Sequence, residues 1–397
     1  MKNIIYTSLT GMNEALGKSQ VLAYILKMNK ANRFHLISFE KNLSKQDKEE
    51  LEALLSNNNI DWYPIKYSNR FGVLSTVFQL IIGMYLSLKI AFKNKIFALH
   101  ARSMIAALMV YPISRLLRLP LVFDIRDFAT DEKVDRGRIK KGSLLYKISL
   151  MLEHILYRHS RKIIALTKVS RDILVQDIGI EAEKIYIIPT CADQDIFYSL
   201  GEADNVINRE KLGFSDEDFL FIHVGSVREW YLFDEELKYF KYCLEINNKS
   251  KLLILNNYDH EYIYSKLVEY NIPTTSICKV LSVDYSEVNA YLNISDVALY
   301  FIVPSFSKKA AAPTKFAEFV RVNLPSITNA GVGDMEYYIN TFKVGFLVDP
   351  YALTKKVVEE SLDKILNIDD ARYEELFCNY FSVDVAIKEY QRVYDEI

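Results

Sequence analysis

The sequence predicts an α/β protein of two doubly wound domains facing each other across a central cleft. Three observations carry this. Short, almost wholly apolar runs alternate with longer amphipathic stretches, as strands buried on both faces of a parallel sheet require. That alternation runs along the chain twice. A length of 397 residues suits more than one domain.

In the first series, strands are expected at 3–6, 34–39, 62–66, 96–100, 121–125, 163–166 and 185–188. Between the strands at 121–125 and 163–166, Leu144, Leu145, Ile148, Met151, Leu152, Ile155 and Leu156 share one helical face. In the second series, strands are expected at 219–224, 252–255, 279–281, 297–301, 326–328 and 345–348, with helices near 232–246, 285–294, 314–323 and 352–366. Pro189 and the polar stretch 199–210 interrupt the pattern, which predicts domains over 1–195 and 196–378. The segment 379–397 reads as a helix that packs back on the first domain. The run 73–92 is apolar enough to suggest a membrane span. Thr76, Gln79, Gly83 and Ser87 form a less apolar stripe along it, and Lys89 lies inside it. It reads instead as an amphipathic helix whose apolar face enters the core or touches lipid.

Half of the residues are hydrophobic and a quarter are charged, which excludes disorder and low complexity. Cys191, Cys243, Cys278 and Cys378 lie far apart, with no CxxC pair. That spacing suggests a reducing compartment and gives no metal signature. Met1-Lys2-Asn3 runs straight into a strand, so no cleavable leader is expected and the expected location is cytoplasmic. The net charge of −2 conceals an asymmetry: residues 1–200 hold 29 Lys+Arg against 19 Asp+Glu, and the rest is acidic. A basic half without a nucleic-acid motif predicts peripheral contact with an anionic membrane, at the inner face of the cytoplasmic membrane, and no nucleic-acid partner.

The strongest constellation runs from Pro304 to Glu318, where a buried strand leads through a small-residue loop into a helix beginning near Pro313 or Thr314. Backbone N–H groups at a helix start bind anions, and Lys308 and Lys315 add positive charge. Glu318, one turn on, can accept two hydroxyls of a ribose, or form a solvated pair with Lys315. A second candidate is Gly225-Ser226-Val227-Arg228, where glycine allows close approach and Arg228 can fork onto a diphosphate. A third is the loop with Gly11, Gly17, Ser19 and Gln20 after the first strand, which lacks the spacing of a P-loop. A fourth is Asp124-Ile125-Arg126-Asp127 at a strand end, with His100 and Arg102 ending a neighbouring strand. There Arg126 can bind phosphate and Asp127 can orient it or hydrogen-bond sugar hydroxyls, or the charges form a structural Arg–Asp pair. Asp334, after Gly331-Val332-Gly333, reads as a helix N-cap rather than a sugar contact.

Together these residues resemble a family 4 glycosyltransferase of the GT-B fold, of the bacterial surface-polysaccharide type, over about residues 3–350. The segment Thr10-Gly11 to Gln20 is similar to the first loop of a bacterial subgroup. Phe123 to Asp127 resembles a D-x-R-D strand end, and Ile188 to Asp193 with Phe197 resembles the family's domain junction. Pro313-Thr314-Lys315-Phe316-Ala317-Glu318-Phe319, then Leu324-Pro325, resembles the donor motif. Many members carry a sugar-contacting Glu eight positions before the ribose Glu; here that position is Ala310. Arg126 stands where many have a catalytic-region His, and the usual basic pair after the first strand of the second domain is reduced to Arg228.

The resemblance implies two Rossmann-like domains and a retaining, metal-independent transfer from a nucleotide-sugar donor, which is substrate and not cofactor, to a glycan or polyprenyl-linked glycan. It implies catalytic roles for Arg126, Asp127, Arg228 and Lys315 and donor binding by Gly225, Ser226, Lys308, Pro313, Thr314 and Glu318. Gly11, Gly17, Ser19, Gln20, His100 and Arg102 would line the acceptor side of the cleft. The alternatives are a degenerate scaffold that binds nucleotide or a partner transferase, and an epimerase of the same fold.

Overall fold

The computed structural model describes residues 1–68, 70, 72–201, 209–274, 277–368 and 371–397. The expected linker therefore falls largely outside the described residues, at 202–208. The chain forms two compact units. The first comprises Met1–Thr190 with Lys309–Ala311 and Val383–Ile397, and the second Cys191–Lys308 with Ala312–Ser382.

In the first unit, β1 (Lys2–Ser8), β2 (Asn32–Glu40), β3 (Ile60–Lys66), β4 (Ala98–Arg102), β5 (Leu121–Asp124), β6 (Lys162–Ala165) and β7 (Ile185–Ile187) form one parallel sheet in the order β3-β2-β1-β4-β5-β6-β7. The order reverses between β1 and β4, so their carboxyl ends flank a switch point, where open α/β sheets bind ligands. The strand expected at 96–100 is displaced to Ala98–Arg102, because Ile4 of β1 pairs with Ala98. His100 therefore lies within the sheet and only Arg102 ends the strand. The helix Val383–Asp395 belongs to this unit and packs on the helix Ala23–Met28.

In the second unit, β8 (Phe219–Val224), β9 (Ser250–Leu255), β10 (Cys278–Leu281), β11 (Val297–Leu299), β12 (Ser326–Thr328) and β13 (Gly345–Leu347) form a parallel sheet ordered β10-β9-β8-β11-β12-β13. Its switch point lies between β8 and β11. The helix Phe233–Ile246 buries Phe233, Leu237 and Phe240 against this sheet.

Two helices of the first unit pack on the core yet leave large apolar side chains exposed. The helix Val73–Lys93 is long and apolar enough from Ser75 onward to cross a membrane by length and composition alone. It buries Ser75, Gln79, Gly83 and Ser87, while Phe78, Ile81 and Tyr85 are exposed. A methyl group at Gly83 would meet Met109 Sδ at 1.9 Å, so the small residues let this helix approach the neighbouring helix Met104–Leu117. The predicted apolar face of the helix Leu144–His159 is split: Leu152 and Leu156 pack on the core, while Leu144, Leu145, Ile148 and Met151 are exposed. Glu153 and Tyr157 are buried beside Leu156. The buried Glu153 carboxylate accepts from Ala129 N, Thr130 N and the Tyr157 hydroxyl, which offsets its desolvation.

Candidate functional site

Each switch point gathers polar side chains. In the second unit, β8 runs into Gly225, whose φ of +96° is open to glycine but strained for other residues. His223, at the end of β8, holds the next turn from beneath. One ring nitrogen lies 2.7 Å from Glu236 Oε2 and the other 3.1 Å from the Ser226 carbonyl. After β11 the chain passes through Pro304 and Lys308 to Pro313, which precedes the first turn of the helix Thr314–Arg321. Gly331 and Gly333 pack on this loop, with Gly333 N donating to Lys308 O at 2.9 Å. Asp334 occupies the N-cap position of the helix Met335–Phe342, but its side chain makes no capping hydrogen bond.

Lys315 lies within the first turn of the helix Thr314–Arg321 and is buried, with Nζ 4.1 Å from the Tyr231 ring centroid and close to Gly225. Among the described residues, no hydrogen-bonding group meets this ammonium. A buried cation without an acceptor is costly, and an anion beside Gly225 would relieve it. Glu318 is also buried and accepts from the Tyr285 hydroxyl at 2.9 Å. Burial pushes its carboxyl up to about 7, against the pull of Tyr285 and Lys315. The solvated Lys315–Glu318 surface pair is thus overturned: packing of Tyr231, Tyr300 and Tyr285 takes both groups out of water.

Arg228 is committed elsewhere. Its Nε donates to Asp259 Oδ1 at 2.7 Å, and its guanidinium stacks 4.0 Å from the Tyr262 ring centroid. The Lys308 ammonium lies 3.6 Å from the Trp230 ring centroid. Gly225 thus lies beside Lys315, which shares its helix with Thr314 and Glu318 just after Pro313, while Ser226 is held by His223 and Arg228 is turned to a carboxylate of its own unit.

In the first unit the switch point is bridged by Arg102, whose Nη1 donates to Thr10 Oγ1 at 3.2 Å. Next to it is a buried cluster. Arg126 Nη1 lies 3.1 Å from Asp124 Oδ1, and His100 Nε2 lies 3.6 Å from Asp124 Oδ2. Arg126 faces Asp124, which β5 ends on and points inward. Burial alone would raise the Asp124 carboxyl, yet Arg126, His100 and Arg102 hold it down at about 2. Burial lowers the His100 imidazole, against the pull of Asp124.

The loop after β1 is another correction. Gly17 ends the short helix Ala15–Gly17, and Ser19 and Gln20 lie in the wide helical turn Lys18–Leu22. Ser19 Oγ donates to Ala15 O at 2.8 Å, and Gln20 Oε1 accepts from the Tyr24 hydroxyl at 2.8 Å. Gly17 is required by packing, since a methyl group there would lie 2.0 Å from Gly11 O. Gly11 N and Met12 N donate to Glu14 and Glu40, so they are occupied within the loop. At the carboxyl ends of β1 and β2, Leu9, Phe39, Lys41, Tyr67, Thr76, Gln79, Leu80 and Ile105 line a small hollow of about 190 Å³.

Sequence reasoning missed Tyr231 and Tyr285, which shape the pocket of Lys315 and Glu318, and the His223–Glu236 pair beneath Gly225. It also missed Ser103, whose φ of +90° strains the start of the helix Met104–Leu117 at the first switch point. None has a local sequence signal; each acts through neighbours distant along the chain. Among the described residues, no three His, Cys, Asp or Glu side chains assemble a metal site.

Residues 204–376 match the family described as glycosyl transferases group 1, and residues 33–196 match glycosyltransferase family 4. The mannosylfructose-phosphate synthase of Agrobacterium fabrum is 32% identical over 91 residues, 22% of this chain and 19% of that protein. The aligned stretch thus spans about a fifth of that curated relative. The sucrose-phosphate synthase of Thermosynechococcus elongatus shares the fold at a TM-score of 0.72 and 12% identity, over 100% of this chain and 99% of that one. Anabaena Alr3699/HepE, solved in complex with UDP and glucose, does so at 0.71 and 14%, over the whole of both chains. A glycosyltransferase from Rickettsia africae matches at 0.71 and 15%, over 100% and 98%.

Proposed function

Since the chain belongs to the family 4 glycosyltransferases of the two-domain GT-B fold, we propose that it moves a sugar from a nucleoside-diphosphate donor to a glycan or polyprenyl-linked glycan of a surface polysaccharide. The observation that carries this reading is the buried, unaccepted ammonium of Lys315 beside Gly225. The Anabaena relative solved with UDP and glucose supports a nucleotide-sugar donor.

In this reading the donor diphosphate lies against Gly225 and the first turn of the helix Thr314–Arg321, and Lys315 faces its charge. Glu318, held by Tyr285, accepts the ribose hydroxyls. The C1–O bond to the diphosphate breaks, and the acceptor oxygen bonds C1 on the same face, which retains the anomeric configuration. The acceptor proton passes to a departing phosphate oxygen. Negative charge grows on that diphosphate, and a preorganised ammonium in a dry pocket stabilises it most where it is largest. The first unit takes the acceptor. In its hollow, Leu9, Phe39, Leu80 and Ile105 offer apolar contacts for a lipid-linked acceptor, and Lys41, Thr76 and Gln79 offer polar ones.

Isothermal titration of the full chain with UDP, GDP, CDP, TDP and CMP tests the donor site. One diphosphate is expected to bind, and Lys315→Ala to weaken it at least about tenfold, the weight of a charge-assisted hydrogen bond. Equal binding by wild type and variant overturns the assignment. At Ala310, a buried methyl group occupies the position of a sugar-contacting Glu in many relatives, which favours a nucleotide-binding scaffold as the second reading. Binding without transfer or hydrolysis across a donor and acceptor panel would select it.

A further inference from the structure

We infer that the helical layer formed by Val73–Lys93, Met104–Leu117 and Leu144–His159 is a docking surface for an anionic lipid bilayer. The three helices pack side by side over one core of the first unit. In water, an amphipathic helix turns its apolar stripe to the core. Here Val73–Lys93 is apolar on more than its core side: Leu80, Met84 and Ile90 pack on the core, yet other large apolar side chains stay in water. Ser75, Gln79, Gly83 and Ser87 face the protein, while Phe78 and Tyr85 are 63% and 67% exposed. Leu144–His159 buries Leu156 and Tyr157 but leaves Leu144 74% and Leu145 60% exposed. Two neighbouring helices thus keep large apolar side chains in water, a cost that burial in a partner removes.

Charge selects the partner. The three helices contain one acidic residue, Glu153, and it is buried. Their outer surface therefore carries no carboxylate among the described residues. It carries bases instead: Lys89, Lys93, Arg115, Lys147 and Arg158 are exposed. At one end of the layer, Arg115, Arg118, Arg158, Arg161 and Lys184 ring an open hollow of about 420 Å³. The four arginines of that ring have no carboxylate within ion-pair distance among the described residues. Apolar side chains surrounded by cations, with no anion among them, fit a surface of acyl chains beneath phosphate headgroups. A second copy of this chain would bring the same cations face to face and is disfavoured.

The inference stands apart from the transfer reading, since loss of donor binding would leave it intact. Its test is flotation of the full chain with phosphatidylcholine vesicles, with and without about one-third phosphatidylglycerol, at two salt concentrations. Binding to the anionic vesicles that weakens with salt, and little binding to the neutral ones, is expected. The triple variant Arg115→Gln, Lys147→Gln, Arg158→Gln should lower partition about a hundredfold, at roughly fivefold per charge. The pair Phe78→Ser and Leu145→Ser should lower it at least about tenfold by removing inserted apolar area. Both variants change exposed side chains, and unchanged thermal unfolding is their control. No flotation, equal flotation with both vesicle types, or a solution dimer that Phe78→Ser and Leu145→Ser dissociate without any vesicle binding would each overturn it.

Discussion

The Tyr394 hydroxyl lies 2.8 Å from His100 Nδ1, joining residues 294 positions apart. Tyr390, one turn earlier, donates to Asp124 Oδ2 at 3.4 Å. The ring of Tyr6 stacks on His100 with centroids 4.3 Å apart. The helix Val383–Asp395 thereby reaches the buried ends of β4 and β5, where Asp124 and Arg126 meet. Tyr394→Phe strands a buried imidazole nitrogen and should cost about 1–3 kcal/mol, the desolvation penalty of an unpaired polar group. Urea unfolding of the two proteins side by side gives the difference; identical midpoints would refute the linkage.

Arg126 and Asp124 form a buried ion pair, so removing one partner should be far worse than removing both. Arg126→Ala is expected to cost about 3–5 kcal/mol, and the double variant with Asp124→Asn to recover part of that. The Asp124 carboxyl sits at about 2, below its ordinary value, so its stabilisation is complete above about pH 4 and is lost as pH falls through 2. Acid unfolding followed by circular dichroism should move to higher pH in Arg126→Ala. A shift in the other direction would contradict the pairing.

Glu318 behaves oppositely. Its carboxyl is raised to about 7, so the folded protein binds a proton that the unfolded chain releases near pH 4.5. Stability falls as pH rises across that interval, by about 3 kcal/mol once both states are ionised. Glu318→Gln should therefore melt close to wild type at pH 5 and well above it at pH 8, while binding nucleoside diphosphate more weakly. Calorimetry at the two pH values decides; a constant difference in Tm would remove the buried carboxyl from the account.

Lys315→Met should separate stability from binding. It replaces a buried ammonium lacking an acceptor with an apolar chain of similar length. The free protein is expected to gain about 1 kcal/mol, and diphosphate binding to be lost. A thermal-shift series with and without nucleotide reads both effects. A destabilised free protein would mean that the Tyr231 ring alone satisfies the charge.

Gly17→Ala probes the first loop. The added methyl group meets the Gly11 carbonyl at 2.0 Å, an overlap that backbone must move to relieve. A loss of about 1–3 kcal/mol in urea unfolding is expected. A neutral substitution would show that the loop is looser than its packing implies.

The alternation of apolar runs with helical stretches is a local property, and the sequence alone determined from it two parallel sheets in series. The helix start at Pro313-Thr314 and the positions of Lys315 and Glu318 one turn apart were legible for the same reason. Which face of a helix is buried was not. The outcome for Val73–Lys93 rests on whether Gly83 can accept Met109, and for Leu144–His159 on whether Glu153 finds donors at Ala129 and Thr130. The partner of Arg126 was likewise undecided between Asp124 and Asp127 until β5 was paired and ended. Periodicity ranks the two sides of an element by polarity. Burial is settled by the shapes and hydrogen bonds of residues far along the chain, and these meet only when the fold closes.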